Sequence, residues 1–128
     1  MPEPTATTLK RAVSAVVRNA TGQILCVSRK DNHSSFSLVG GKVDDTDQFI
    51  EDAIVREAQE ETGLQLTNLN LVDVCDWGGY RQYVFTADGE GDIFTNEPHV
   101  VKWGSPQDLI DGAFGEYNAA LLRKLEII

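Results

Sequence analysis

The 128-residue sequence predicts an α/β fold in which a mixed β-sheet carries helices on its faces. Three observations support this. Short apolar runs with strand-like alternation recur along the chain. One strongly signalled helix of about four turns lies among them. A second helix-start signature follows the last of those runs.

Residues 1–8, with two prolines and three threonines, read as a flexible leader, and residues 9–128 as a single domain. From 9 to 18, Val13, Ala15 and Val17 alternate with smaller or polar residues. Turn chemistry at 19–22 and an apolar run at 24–27 complete an expected hairpin. A polar loop, interrupted by Phe36, spans 29–37, and Gly40 and Gly41 end the short run Leu38-Val39. There backbone freedom is expected to concentrate. A helix is predicted over 48–62, with Asp45, Thr46 and Asp47 offering N-cap oxygens and Gly63 supplying the left-handed stop. Two strands, 66–77 and 80–87, meet at Gly78-Gly79, and an acidic, glycine-containing loop covers 88–96. One further strand is expected at 99–103. Ser105-Pro106-Gln107-Asp108 then reads as cap, first-turn proline and box acid, and an amphipathic helix closes the chain at 116–126.

Eleven Lys plus Arg against 20 Asp plus Glu give a net charge of −9, which repels polynucleotides and anionic membranes. Neither class of partner is expected. No apolar run approaches the ~18 residues of a membrane span, and no secretory h-region is visible, so the expected location is cytoplasmic. Cys26 and Cys75 lie in apolar runs without a CxxC or Cys/His cluster and read as buried small hydrophobes.

The segment that carries chemistry is Arg56-Glu57-Ala58-Gln59-Glu60-Glu61-Thr62-Gly63. On a helix Glu57, Glu60 and Glu61 stand at i, i+3 and i+4, where like charges oppose one another unless a counter-ion is present. At ~100° per residue, Glu57 and Glu61 share the arc of Ile50, Ala53 and Ile54 and so face inward. Inward carboxylates require donors or a cation, and a hard divalent ion such as Mg²⁺ or Mn²⁺ satisfies oxygen ligands of this kind. Arg56 reaches Glu60 or Asp52 at i±4, either to hold a ligand carboxylate in place or as an ordinary helix salt bridge.

Gly40-Gly41-Lys42-Val43, an acidic turn, and Arg56-Glu57-x-x-Glu60-Glu61-x-Gly63-Leu64 together resemble the Nudix box of the Nudix hydrolases, the superfamily that includes MutT-like proteins. The resemblance implies an α/β/α sandwich and metal-dependent attack of water on a phosphorus of a nucleoside diphosphate linked to a group X. It implies Glu57, Glu60 and Glu61 as metal ligands, with a carbonyl of the glycine pair, Gly40 first, completing the shell. Glu57 is the first choice for base or water-orienting group. A later-loop acid is the second, Glu97 ahead of Glu90 and Asp92, and Glu97 is also a candidate metal ligand. Arg56, Glu57 and Glu60 form the expected catalytic set.

Two departures stand out. Relatives carry a Glu six residues after the second glycine and eight before the Arg; here Asp47 meets the first spacing and Gln48 the second. Relatives also often have Trp and Pro where this chain has Phe36 and Val39.

The substrate-binding candidates are Arg29, Gly41 and Lys42 for phosphates and Phe36 for base stacking. Trp77, Tyr80 and Tyr83 are read as core aromatics with the same potential, and His33 and His99 as unremarkable. The expected partner is a small nucleotide, triphosphates slightly ahead of other NDP-X compounds, and a homodimer stays open. The alternative function is a nucleotide-binding module of weak or no activity on the same fold.

Overall fold

The computed structural model describes residues 10–128, so the expected leader lies outside the described residues. Along the chain run β1 (Lys10–Arg18), β2 (Ile24–Ser28), β3 (Phe36–Ser37), β4 (Val39–Lys42) and α1 (Ile50–Thr62). They are followed by β5 (Gln65–Trp77), β6 (Tyr80–Glu90), β7 (Val101–Gly104), α2 (Pro106–Ile110) and α3 (Gly115–Lys124). The strands form one sheet in the order β3-β2-β1-β6-β5, with β4 added to β1 and β7 to β2. It is mixed: β1 runs parallel to β6 along its whole length and antiparallel to β4.

Alternation along β1 sends side chains to two cores. Val13, Ala15 and Val17 join Val39, Phe85 and Leu64 beneath Ala53, Ile54 and Ala58 of α1. Val16 joins Ile24, Cys26 and Val84 beneath Leu109, Leu121 and Leu122 of α2 and α3. The result is an α/β/α sandwich. No helix among the described residues is long and apolar enough to cross a membrane.

Several expected boundaries move. The first hairpin closes only at its turn, where Arg18 pairs with Ile24, because β1 then takes β4 and β6 as neighbours. Strand β6 continues to Glu90, into the predicted loop, since Gln65 and Leu66 provide partners for Glu90 and Gly89. The last strand starts at Val101 rather than 99, and the closing helix occupies Gly115–Lys124. Helix α1 starts at Ile50 with Phe49 as the capping residue. Phe49 has no side-chain acceptor to offer; Asp52 Oδ2 accepts its N–H at 3.1 Å, so Asp52 caps the helix and does not pair with Arg56. Gly63 ends α1 at φ 77°, as its position after the last periodic residue predicts.

Candidate active site

The glycine pair lies inside a strand rather than at a free turn, and what it supplies is close approach. Gly41 pairs with Val13 of β1 and Gly40 with Ser14. A Cβ on Gly40 would strike the Val13 carbonyl, and one on Gly41 would lie 2.5 Å from Glu57 Oε2. Strand β4 is thereby a thin wall on which α1 sets its carboxylates.

On the α1 side of that wall the three helix carboxylates separate. Glu57 and Glu61 are partly buried, Glu57 over Gly41 and Glu61 accepting the Gly40 N–H at Oε1 from 3.2 Å. Glu60 turns to Arg56 Nη1 at 3.3 Å, its i+4 partner, and is 52% exposed, so the expected inward pair has a third acid at the rim. Like-charge repulsion and the Arg56 guanidinium, which draws Glu60 outward, account for the spread. Among the described residues no three His, Cys, Asp or Glu side chains stand together as a ready-made set of metal ligands.

Burial pushes the Glu61 carboxyl up to about 7 against the opposing Gly40 hydrogen bond, with Glu57 and Glu97 adding to the rise and Lys30 countering it. Glu57 is also raised, first by burial, with Arg56 pulling the other way. Two partly buried carboxylates, of which only Glu57 meets a guanidinium, are fixed against a strand that has no side chains in their path and form an oxygen donor set that fits a hard divalent cation. Glu57 and Glu61 would hold it, with Glu60 and Glu97 within the same acidic surface.

Arg56 organises this face. Its Nε and Nη2 grip both oxygens of Asp47 at 3.1 and 2.9 Å. Its Nη1 holds Glu57 Oε1 at 3.0 Å, and Nη2 donates to the Lys42 carbonyl at 3.2 Å. The guanidinium is held above its ordinary range chiefly by Asp47, and Asp47 below its own by Arg56 and the Asp44 N–H. The register question at 47 and 48 therefore has a geometric answer: Asp47 takes the arginine and Gln48 is exposed. Fork-to-carboxylate geometry of this kind fixes orientation as well as charge.

On the opposite side of the wall lies a groove of about 360 Å³ lined by Gly40, Gly41, Lys42, Ser14, Gln82 and Tyr80, among others. It continues past Trp77, Ser37 and Leu38 into a recess reaching Phe114, Tyr117 and Asn118. Trp77 is 49% exposed and stands edge-on to Phe114 at 5.6 Å, which makes it an aromatic platform rather than the core residue its strand position predicts. Lys42 borders the groove with Nζ 5.8 Å above the Tyr80 ring. Phe36 is not there: it is 8% exposed, packed in the α2–α3 core and covered by Lys102 Nζ at 4.3 Å. Its pairing with Ser28 on β2 turns the ring beneath α2, so it has no face for a base. Arg29 forks onto Asp31 at 2.8 and 3.0 Å and lines a separate groove with Asp111 and Gly112, away from the glycine pair.

Glu97 lies beside the acidic pair, in ion contact with Lys30 at 3.2 Å, whereas Glu90 ends β6 and Asp92 is exposed. His99, dismissed on spacing, has a 1% exposed side chain whose Nε2 donates to the Glu61 carbonyl at 2.8 Å. No sequence signal marks it, because its partner is a backbone atom 38 residues away. Cys26 is buried and Cys75 half-buried, both free.

The NUDIX domain family model matches residues 8–125. Among solved structures, a MutT from work on Aliivibrio salmonicida and Vibrio cholerae superposes with TM-score 0.74 at 23% identity, covering 90% of this chain and 94% of its own. An ADP-ribose pyrophosphatase from Streptococcus suis gives 0.76 at 26% identity, covering 91% and 89%. A MutT from Methanosarcina mazei gives 0.62 at 20%, covering 90% and 94%. No curated protein matches the chain.

Proposed function

The chain belongs to the NUDIX domain family, hydrolases of pyrophosphate bonds, and from that premise we propose a divalent-metal-dependent pyrophosphohydrolase of nucleoside diphosphates linked to X, with nucleoside and deoxynucleoside triphosphates as the favoured class. In this reading residues 9–128 act as one catalytic domain. The observation that carries the reading is the double use of Gly41, which touches the Glu57 carboxylate on one side and lines the aromatic groove on the other. A nucleotide base against Trp77 would extend its polyphosphate past Lys42 and across the glycines toward α1. MutT and ADP-ribose pyrophosphatase, the names its structural relatives carry, fit a small nucleotide substrate.

Bound Mg²⁺ or Mn²⁺ would neutralise the diphosphate and acidify the attacking water. The chain's own residues do the rest. Glu57 orients the attacking water and takes its proton as the new P–O bond forms and the bridging P–O bond breaks, the electron pair staying on the bridging oxygen of the departing half of the diphosphate. Burial has already raised the basicity of Glu57 in the sense a general base requires. Arg56 holds Glu57 and Glu60 at fixed angles and is itself anchored by Asp47. The Lys42 ammonium meets phosphate oxygens, and Trp77 stacks the base.

Incubation with a panel of nucleoside triphosphates, NDP-sugars, ADP-ribose and dinucleoside polyphosphates, with and without Mg²⁺ and with product identification, tests the proposal. Nucleoside monophosphate release that needs metal and is lost in Glu57→Gln and Glu61→Gln supports it. Nucleotide binding without turnover under all conditions transfers the site to a sensing module.

A further inference from the structure

The segment from Phe94 to Val100 is not regular structure, yet it is tied down at both ends. The Phe94 N–H donates to the Thr62 carbonyl at 2.8 Å, and His99 Nε2 donates to the Glu61 carbonyl at 2.8 Å. Both acceptors lie in the last turn of α1, where helix carbonyls have no partner within the helix. On the far side the Val100 N–H donates to Ser28 Oγ at 2.8 Å, and its carbonyl accepts the Ser28 N–H at the same distance. Glu97 hangs between these anchors, its Oε2 3.2 Å from Lys30 Nζ and 3.6 Å from His99 Nδ1, close enough to add to the rise of the Glu61 carboxyl.

We propose that His99 is a positioning residue for the acidic site: its buried imidazole locks the Glu97-bearing segment to the end of α1 and so fixes Glu97 relative to Glu61. The inference rests on the metal-hydrolase reading above, since it matters only if those two acids serve one cation. The Glu61 carbonyl is an acceptor only, so Nε2 carries a proton and the ring acts as a donor clamp at that atom. The ring itself is enclosed, so it reaches neither solvent nor the aromatic groove. Its effect passes through the backbone: the Glu61 carbonyl it holds on one side and the chain that carries Glu97 two residues away on the other. Without the clamp the segment keeps its Phe94 and Val100 anchors, the Lys30 ion contact and the His33 contact at Pro98 but loses its tie to the Glu61 end of α1, and loss of such supporting contacts typically weakens a metal site by about 10- to 100-fold.

The test is direct Mn²⁺ binding, followed by electron paramagnetic resonance of free Mn²⁺, on wild type, His99→Leu, His99→Gln, Glu97→Gln and the double variant His99→Leu/Glu97→Gln. Thermal melting checks folding throughout. His99→Leu is expected to raise the Mn²⁺ dissociation constant about 10-fold. His99→Gln, which keeps an N–H donor, restores most of the affinity, and in the Glu97→Gln background the leucine adds nothing. Unchanged Mn²⁺ affinity in His99→Leu overturns the inference, as does an equal loss with and without Glu97, which marks a structural role only. If leucine prevents folding, the glutamine variant decides: wild-type affinity supports the donor clamp, and a 10-fold loss overturns it. Failure of the underlying function shows separately, as a wild-type protein that turns over no nucleotide on the panel above.

Discussion

Glu61 at the end of α1 and Asp108 at the start of α2 each accept a backbone N–H, yet the first is pushed toward its neutral form and the second away from it. The difference lies in the company each keeps. Glu61 is partly buried with Glu57 and Glu97 as electrostatic neighbours, offset by the Gly40 N–H and by Lys30. Asp108 accepts the Ser105 N–H at 2.8 Å, its hydroxyl at 3.2 Å and Lys102 Nζ at 3.0 Å. One carboxylate is satisfied by the fold; the other is held short of positive charge by it. Acids of the second sort are candidates for function and acids of the first sort are architecture.

Substitutions can separate the two behaviours. The largest expected effect is that of Glu57→Gln, which should lower Mg²⁺-dependent nucleotide turnover by about 10²-fold or more. Melting temperature should hold or rise, because a buried charge is removed; a clear fall in melting temperature would move Glu57 into the architectural class. Gly41→Ala comes next. The new methyl group displaces the Glu57 carboxylate, and a misplacement of about 1 Å costs on the order of 10²-fold in turnover. Steady-state kinetics should show kcat falling while the Mg²⁺-free protein stays folded by circular dichroism.

Arg56→Lys keeps the charge and loses the fork on Asp47, so turnover should fall about 10-fold, with the metal requirement shifted upward. At the other cluster Asp108→Ala should cost about 1 kcal/mol in chemical denaturation and leave kcat unchanged. The pH dependence follows from the sign of its shift. Asp108 lies below its ordinary 3.8, so its stabilisation is fully present above that value and is lost as pH falls below it through the lower folded value. Wild type should therefore lose stability below pH 3.8 more steeply than Asp108→Asn, measured as melting temperature against pH.

Much of the fold was legible because local signals and tertiary needs agree. The α1 stop at Gly63, the Gly78-Gly79 turn with both φ values positive, and the Ser105 to Asp108 helix start all sit where their residue types predict. Helical spacing likewise identified Glu57 and Glu61 as inward and adjacent to an apolar arc. Phe36 and Arg29 show where such reading stops. Both are near the glycine pair in sequence, yet strand pairing turns the ring into the second core and Asp31 captures the guanidinium.

The sequence by itself determined the acidic helix, its Arg56 and the glycine pair before it, because helical periodicity and the absence of a Cβ are properties of single residues and short spacings. Only the tertiary structure decided that the glycine pair lies inside a strand, that Asp47 rather than Gln48 holds Arg56, that Trp77 is exposed at the groove while Phe36 is buried, and that His99 reaches the Glu61 carbonyl. Each of those outcomes depends on which segments the packed fold holds within hydrogen-bonding or van der Waals range. Distances of that kind are set by the packing of the whole sheet and are written in no local pattern.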